Sequence, residues 1–359
     1  MYFSTRVTYS CIKEKLIQDN LFRISYNKIM HAPLVLPSPA VMPARGIKPE
    51  SAFNKQVVRF IDLFCGIGGF HAAAARLSWK AILACDINEA ARKAYFANYG
   101  LQPVGDIRAL DAREIPDHDV LLAGFPCQPF SICGDRKGFQ DARGTLFFEI
   151  ARILEAKRPP YFVLENVKML AGDNKGKTLK RILAILRAME YTVDWRILNA
   201  LNFGLPQKRE RVLIVGRKIK EPYQWPIGYV PMTPLSDILE KNIPREFYAS
   251  ARIRKLRQEE HKASYKPAIW HENKGGNISS HPYSCALRAG ASYNYLLVDG
   301  IRRLTPRELL RLQGFPDTFK IVCPVGETRT QVGNAVPVPL VEAVLRNLIP
   351  TTKKAKNGT

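Results

Sequence analysis

Residues 60–70 read FIDLFCGIGGF and are the most informative segment of the sequence. An apolar run that ends at Phe64 passes directly into a glycine-containing turn, and the helix-like segment Ala72–Leu77 follows. Glycines at such a turn permit a tight bend and let the backbone approach a ligand at a helix N-terminus. The stretch therefore predicts the first strand–turn–helix unit of a nucleotide-binding fold. The third glycine of the dinucleotide fingerprint is absent, because residues 71–75 read HAAAA.

Strand-like and helix-like segments alternate beyond this stretch. The strand-like segments are Val57–Phe64, Ala81–Cys85, Val120–Ala123 and Tyr161–Leu164, and the helix-like segments that follow them are Ala72–Leu77, Ala90–Tyr99, Leu146–Ala156 and Leu179–Met189. This alternation predicts an α/β fold with a doubly wound, mostly parallel sheet. Two further strand-like segments, Thr192–Leu198 and Val212–Gly216, have no helix between them. They predict an antiparallel pair that closes one edge of the sheet.

The length of 359 residues allows about two domains. The alternation of strand-like and helix-like segments is confined to residues 56–220. We predict that these residues, together with residues 330–349, form a cofactor-binding catalytic domain. Residues 221–329 are rich in Pro, Lys, Arg, Ser, Asn and Gly, and they predict a second, smaller domain. Residues 1–55 lack a strand or helix period and predict a poorly ordered extension, and residues 350–359 form a basic tail.

The charge balance is unusual, with 54 Lys and Arg against 32 Asp and Glu, a net charge of +22. Such an excess attracts a polyanion, above all a nucleic acid, although a solvated basic surface would have the same composition. The seven cysteines are widely spaced without a Cys-x-x-Cys pair, which favours a reducing cytoplasm and argues against disulfides and a zinc site. No secretory signal or membrane span is predicted, so we expect no membrane partner. Because the cysteines lack the spacing of a zinc site, we also expect no metal.

Polar residues follow the predicted strands at the edge where an open parallel sheet binds ligands. Asp86 ends the second strand 20 positions after Gly66, where a carboxylate suits the ribose hydroxyls of a nucleoside. Asp106 follows the next short segment and could hold an adenine amino group. A nucleoside pocket without a pyrophosphate cradle indicates S-adenosylmethionine rather than NAD. The alternative is that Asp86 only caps the helix that begins near residues 87–89.

Chemistry-bearing residues follow the later strands. Cys127 lies between Pro126 and Pro129 on a loop, where it is a candidate nucleophile, although most cysteines are inert. The glycine-rich, basic segment 132–144 is typical of a lid over a phosphate backbone. Glu165 ends an apolar strand, where a raised pKa would make it a proton donor; the alternative is another helix cap. Arg209 and Arg211 precede the last strand-like segment and can reach the same edge.

These segments resemble, in chain order, the motifs of DNA (cytosine-5)-methyltransferases, most closely those of compact bacterial restriction–modification systems. The matching segments are Asp62–Gly69, Gly124–Gln128, Glu165–Val167, Gln207–Arg211, Arg303–Glu308 and Gln331–Pro337. The resemblance extends from about Val57 to Leu348 and leaves residues 1–55 and 221–295 without a motif. Two departures are Cys65, where a small residue is more usual, and Cys133, where close relatives often have serine.

The resemblance implies a role for each matching position. Cys127 would be the nucleophile, Glu165 would hold and protonate the ring nitrogen of cytosine, and Arg211 with Arg209 would hold the base carbonyl and support the thiolate. The S-adenosylmethionine pocket would be lined by Phe64, Gly66, Ile67, Gly69, Asp86, Ile87, Asp106, Ile107, Pro126 and Asn334. Residues 221–329 would recognise the target, and the helix after Pro337 would pack against the first domain.

Duplex DNA is the expected partner, and the target cytosine must be flipped out of the helix to expose carbon 5. The expected DNA contacts are Gln128, Ser131, Arg136, Lys137 and Arg143 around the lid, and Asn277 and Arg288 as groove readers. We further expect a bacterial, cytoplasmic, nucleoid-associated monomer that is functionally paired with a restriction endonuclease without stable contact.

Three alternatives remain open from the sequence. The first is the same cytosine-5 chemistry on transfer RNA, whose enzymes share the Pro-Cys and Glu-Asn-Val motifs. The second is a catalytically inactive DNA-binding regulator with this fold, which the joint presence of Cys127, Glu165 and Arg211 disfavours. The third is a dehydrogenase, which the missing glycine disfavours.

Overall fold

The computed structural model describes residues 57–126 and 146–350. The strands in these ranges are β1 (Arg59–Leu63), β2 (Lys80–Cys85), β3 (Val120–Gly124), β4 (Tyr161–Val167), β5 (Thr192–Asn199), β6 (Gln207–Lys208), β7 (Glu210–Arg217), β8 (Ile269–Glu272), β9 (Ile278–His281), β10 (Ser284–Cys285) and β11 (Leu296–Val298). The helices are α1 (Gly69–Ala75), α2 (Glu89–Tyr99), α3 (Leu146–Lys157), α4 (Lys177–Ala188), α5 (Leu235–Ile238), α6 (Ala251–Glu260), α7 (Pro306–Leu312), α8 (Val325–Asn334) and α9 (Val338–Arg346).

The central sheet has the strand order β2-β1-β3-β4-β7-β5. Strands β1 to β4 pair in parallel, whereas β7 is antiparallel to both β4 and β5. The predicted doubly wound, mostly parallel sheet with an antiparallel pair at one edge is therefore confirmed. Carboxyl ends of the parallel strands meet at one edge, and the residues that follow them form the site described below.

Each strand of the sheet contributes side chains to two hydrophobic layers, because successive residues of a strand face opposite sides. Phe60 belongs to one layer with α1 and α9, and Ile61 and Leu63 belong to the other with α3 and α4. The buried residues of α4 lie at helical spacing along one stripe, namely Leu179, Ile182, Leu183 and Leu186. Helices thus cover both faces, which explains why an interior strand such as β3 is buried residue after residue rather than at alternate positions.

The last helix, α9, packs against the first, α1. The segment that leads into α9 also lies against the start of α1, where a Cβ at Gly69 would lie 2.7 Å from Val336 Cγ2. The C-terminal segment therefore completes the layer that the first strand–turn–helix unit begins, as expected for the helix after Pro337.

Residues 207–298 also contain pairings outside the central sheet. Strands β11, β8 and β9 form a small antiparallel sheet, and β10 pairs in parallel with β6. Helix α7 begins at a capping box in which Thr305 and Glu308 satisfy each other's backbone N–H groups. No helix within the described ranges is both long and apolar enough to cross a membrane.

Candidate active site

A cavity of about 740 Å³ opens at the carboxyl edge of β1 to β4. Its lining includes most of the residues that the sequence singled out, namely Phe64, Gly66, Gly69, Asp86, Ile87, Asp106, Ile107, Pro126, Glu165, Arg209, Arg211 and Asn334. Ile67 differs, because its side chain is buried in the hydrophobic layer beneath α1 rather than along the cavity. The structure thus brings together residues from five of the six motif segments, and Arg303–Glu308 is the segment that does not line the cavity.

The glycine turn after β1 forms the floor of this cavity. Phe64 lines it with a backbone in the left-handed region, at φ 56°, which is unfavourable for a residue with a side chain and is typical of functional sites. Gly68 has φ 83°, and a Cβ there would lie 2.2 Å from Tyr99 Cε2. Only glycine fits at position 68, and this explains its place in the motif.

Asp86 joins the end of β2 to this turn. Its Oδ2 accepts a hydrogen bond of 2.8 Å from the Gly66 N–H, and its Oδ1 accepts one of 2.8 Å from the Asn88 N–H. Helix α2 is capped by Asn88 instead, whose side chain accepts a hydrogen bond from the Ala91 N–H. The alternative interpretation of Asp86 as the helix cap is therefore wrong, and its carboxylate is held at the cavity wall.

Asp106 also lines the cavity, but its carboxylate is engaged by a neighbour. Arg108 donates to it through Nε and Nη2 at 2.6–3.0 Å, and these bonds lower the pKa of Asp106. An adenine amino group held here would share the carboxylate with Arg108, which itself lines the cavity.

Two thiols belong to the same wall. Cys85 Sγ donates to the Gly105 carbonyl oxygen at 3.1 Å, and Cys65 Sγ lies 3.8 Å from the Gly66 carbonyl oxygen. Burial, followed by the charge of Asp86, raises the pKa of Cys85 to about 12. Burial and nearby carboxylates likewise raise the pKa of Cys65 well above its ordinary value.

Glu165 lies within β4, where it pairs with Arg211 on β7. The Arg211 Nε donates to Glu165 Oε1 at 2.8 Å, and both side chains are almost buried. Burial raises the pKa of Glu165, while the charges of Arg211 and Arg209 act in the opposite direction. The sequence-based expectation of a raised pKa agrees with this direction, and the alternative of a helix cap is wrong, because the residue lies inside a strand.

Arg209 is 1% exposed and differs from Arg211 in its partners. Its Nη1 donates to the Leu287 carbonyl oxygen at 2.9 Å, and its Nη2 donates to the carbonyl oxygens of Gly333 and Ala335 at 2.9 and 2.8 Å. Both Nη groups of Arg209, which was expected to hold the base carbonyl together with Arg211, thus donate to backbone carbonyl oxygens.

The predicted nucleophile, Cys127, and the predicted lid contacts lie outside the described residues; these contacts are Gln128, Ser131, Arg136, Lys137 and Arg143. The segment that leads to Cys127 is described as far as Pro126, which lines the cavity. Asn166, whose role the sequence reasoning missed, donates through Nδ2 to the Phe125 carbonyl oxygen at 2.9 Å. Asn166 therefore ties the end of β4, beside Glu165, to the loop that precedes Cys127.

The predicted groove readers lie apart from the cavity lining. Asn277 is exposed at the turn between β8 and β9, where its N–H donates to Asn273 Oδ1 at 3.0 Å. Arg288 is exposed after β10, with its guanidinium 4.9 Å from the centre of the Tyr295 ring.

One face of α8 forms a wall of the cavity. The sequence analysis identified only Asn334, the last residue of this helix, as a cavity residue. Glu327, Thr330, Gln331 and Asn334 of α8 all line the cavity. They occupy positions i, i+3, i+4 and i+7, the spacing of one helix face, and this spacing is the sequence signal that identifies them.

The described sheet, with its glycine turn and acidic strand ends, defines the fold of S-adenosylmethionine-dependent methyltransferases. The family model for C-5 cytosine-specific DNA methylases matches residues 58–285 and 263–350. The chain belongs to this family, and the resemblance inferred from its motifs is confirmed.

Curated relatives and solved structures agree with this assignment. The chain is 50% identical over 286 residues to the Type II methyltransferase M.NgoBI of Neisseria gonorrhoeae, covering 79% of this chain and 90% of that protein. It is 48% identical over 292 residues to the Type II methyltransferase M.HaeII of Haemophilus aegyptius, covering 80% and 92%. The crystal structure of the S. pombe Dnmt2 methyltransferase superposes with a TM-score of 0.63 at 22% identity, covering 81% of this chain and 98% of that chain, and supports the fold.

Proposed function

We propose that this protein transfers a methyl group from S-adenosylmethionine to carbon 5 of a flipped cytosine within a specific duplex DNA site, as the modification enzyme of a restriction–modification system. The Glu165–Arg211 pair beside the cavity carries the proposal. The ring nitrogen and the carbonyl of cytosine both accept hydrogen bonds, so a protonated carboxyl beside a guanidinium matches this edge of the base. The names of the two relatives above support a restriction–modification role.

The cavity fits S-adenosylmethionine in size and in the charge of its walls. Its volume of about 740 Å³ lies within the range of roughly 300–1,000 Å³ for small-molecule sites. Asp86 would hold the ribose, since each of its oxygens accepts one backbone N–H and retains a lone pair. The remaining proposed cofactor contacts are Phe64, Gly66, Gly69, Ile87, Asp106, Ile107, Pro126 and Asn334.

The chemistry must first activate carbon 5, which is too weak a nucleophile to attack a sulfonium methyl group. The Cys127 thiolate would add to carbon 6 while Glu165 donates its proton to the ring nitrogen and Arg211 holds the carbonyl. This addition turns the ring into an enamine with a nucleophilic carbon 5. S-adenosylmethionine, when bound, supplies the electrophilic methyl group. Loss of the carbon 5 proton to solvent, expulsion of the Cys127 thiolate and return of the ring-nitrogen proton to Glu165 would then restore the aromatic ring and the starting enzyme.

DNA would be held mainly by residues 221–329, which we propose as the recognition domain beside a catalytic domain of residues 56–220 and 330–349. Arg288, Arg303 and Arg329 lie over the rings of Tyr293 and Tyr295. Within the described ranges no carboxylate forms an ion pair with any of these three arginines, so their charge is free for phosphates. We also propose that the enzyme acts as a monomer and shares a DNA site with an endonuclease that it does not stably bind.

Methyl incorporation tests this function against its alternatives. The purified protein is incubated with labelled S-adenosylmethionine and either duplex DNA or tRNA, and bisulfite sequencing locates the modified cytosine. We expect incorporation into duplex DNA at one sequence and none into tRNA. The reverse pattern would establish the tRNA alternative, and no incorporation into either would establish the inactive regulator.

Cys127→Ser is the matched control for this experiment. We expect this variant to bind S-adenosylmethionine like the wild type and to incorporate no methyl groups, because serine lacks a thiolate. A duplex with 5-fluorocytosine at the target should trap the wild type covalently and leave the variant free, since fluorine cannot leave as a cation. Full methylation by Cys127→Ser would remove the nucleophile from the mechanism.

A further inference from the structure

Arg209 forms an unusual junction in the interior of the protein. Its three hydrogen bonds reach carbonyl oxygens that are 78, 124 and 126 positions away along the chain. One of these belongs to Leu287, beside the predicted groove reader Arg288. The other two belong to Gly333 and Ala335, on either side of the cavity residue Asn334. A single buried side chain therefore contacts both the segment assigned to DNA recognition and the wall assigned to the cofactor.

Residues 284–288, which we call the recognition segment, are held near Arg209 by side-chain hydrogen bonds rather than by further pairing of β10 with β6. β10 pairs with β6 for two residues. Beyond it, Gln207 Oε1 accepts the Leu287 N–H at 3.0 Å, and Arg209 Nη1 donates to the Leu287 carbonyl oxygen at 2.9 Å. The side chains of Gln207 and Arg209, two positions apart, thus bond both the N–H and the carbonyl oxygen of Leu287. These two bonds fix the backbone immediately before Arg288, whose own N–H donates to the Tyr295 hydroxyl at 3.1 Å.

The cofactor wall is held in a comparable way. The carbonyl oxygens of Gly333 and Ala335 lie at the C-terminal end of α8, where a helix carries partial negative charge and favours a cation. Gln313 reinforces this end through Nε2, which donates to the carbonyl oxygens of Val332 and Ala335 at 2.7 and 3.1 Å. Gln207 Nε2 in turn lies 3.2 Å from Gln313 Oε1. The two amides and the guanidinium form one continuous buried network.

The guanidinium group is suited to this junction in a way that an ammonium group is not. Arg209 is almost completely buried, and within the described ranges no carboxylate forms an ion pair with it. Burial lowers its pKa to about 9, so it remains protonated at neutral pH. Its planar fork serves two separate segments at once, whereas lysine offers donors from a single point. The geometry depends on the fork as well as on the charge.

We propose that Arg209 is a positioning residue that couples the recognition segment 284–288 to the cofactor wall 333–336, so that binding of target DNA and binding of the cofactor strengthen each other. The inference rests on the proposed function for the identity of the two ligands. A ligand that fixes one segment also fixes the position of the Arg209 fork, and this restricts the other segment before the second ligand binds. By linkage, the effect is equal in both directions.

The test measures the affinity for a target duplex with and without S-adenosylhomocysteine, the demethylated cofactor. We expect wild-type affinity to rise at least about fivefold with the cofactor product, the lower end of common coupling factors. In Arg209→Lys, which retains the charge and loses the fork, we expect this ratio to fall to about one. The matched control is Arg302→Lys, another buried arginine whose fork binds Glu308 and contacts neither segment. It should retain the wild-type ratio.

The outcomes separate this inference from the proposed function. A wild-type ratio of one, or an unchanged ratio in Arg209→Lys, would overturn the coupling even if both ligands bind. Failure of the wild type to bind either ligand would instead contradict the proposed function. If thermal unfolding shows that Arg209→Lys does not fold, Gln207→Met is measured in its place. It removes the acceptor of the Leu287 N–H, and we expect it to lower the ratio.

Discussion

Glu165 is subject to two opposing effects on one carboxyl group. Burial raises its pKa, and the neighbouring arginines lower it. Because burial is the larger effect, the acid form persists to higher pH than it does for an exposed glutamate. A carboxyl of this kind can donate a proton near neutral pH and still lie beside a cation that orients it.

Glu165→Gln tests this assignment through the pH profile. The amide can donate a hydrogen bond but cannot transfer a proton, so we expect kcat to fall by about 10²–10⁴-fold with little change in cofactor affinity. In the wild type, kcat should fall as pH rises through the raised pKa of Glu165, because the acid form is then lost. That alkaline decrease should be absent in the variant. A variant with the same alkaline decrease would show that another group provides the proton.

Single residues differ in how far the sequence could predict them. The place of Asp86 at the cavity was predictable, because a carboxylate 20 positions after Gly66 has a local signature, and Asp86 does line the cavity. Arg209 and Arg211 were indistinguishable in sequence, since they lie two positions apart before one strand. The difference between them comes from partners more than 70 positions away, and no local pattern contains that information.

The elements around the recognition segment concentrate positive charge on aromatic rings. Arg329 lies 4.1 Å and Arg303 5.8 Å from the centre of the Tyr293 ring, and Tyr293 is 53% exposed. The ring keeps the two guanidinium groups together without neutralising them. Such a pair is suited to successive phosphates of a DNA strand.

Salt dependence of DNA binding tests this cluster. Each neutralised phosphate contributes a slope of about −0.9 to log K against log salt, so Arg303→Ala with Arg329→Ala should flatten the slope by about two units. Target and non-target duplexes should weaken alike, because phosphate contacts do not read sequence. Arg346→Ala, which removes a cation paired with Glu342 on α9, is the control and should keep the slope. A double variant that loses target preference at an unchanged slope would assign these arginines to base reading.

The elements of the central sheet were predictable, whereas those of residues 221–298 were not. Long apolar strands followed by amphipathic helices repeat a strong pattern, and α4 carries its buried residues at helical spacing. Strands β8, β9 and β11 have only three or four residues each, too few for an alternating pattern to emerge. Their pairing depends on turns and on contacts with distant segments.

The two ends of the described chain meet in one hydrophobic layer. Helix α9 follows the cavity residue Asn334 and packs against α1, which follows the glycine turn. The packing of α9 therefore holds in place the helix that follows the glycine turn of the cavity. This packing should also contribute to the stability of the whole molecule.

Leu340→Ala measures this contribution. Leu340 is fully buried in α9, and such a truncation lowers the free energy of unfolding by about 2–5 kcal/mol. The matched control is Leu256→Ala on α6, where the side chain is 49% exposed and the change should stay within about 0.5 kcal/mol. Both are measured by denaturant unfolding. Equal effects of the two substitutions would show that α9 is not part of the cooperative core.

The methyl donor proposed for the cavity would lie beside the two thiols of the cavity wall. Cys65 and Cys85 both line the cavity, and a thiolate next to an activated methyl group would become methylated itself. Burial and the surrounding carboxylates raise both pKa values, so at neutral pH the two groups remain thiols, which are poor nucleophiles. Burial, helped by the acidic residues of the wall, would thus also disfavour alkylation of the enzyme's own thiols by the proposed cofactor.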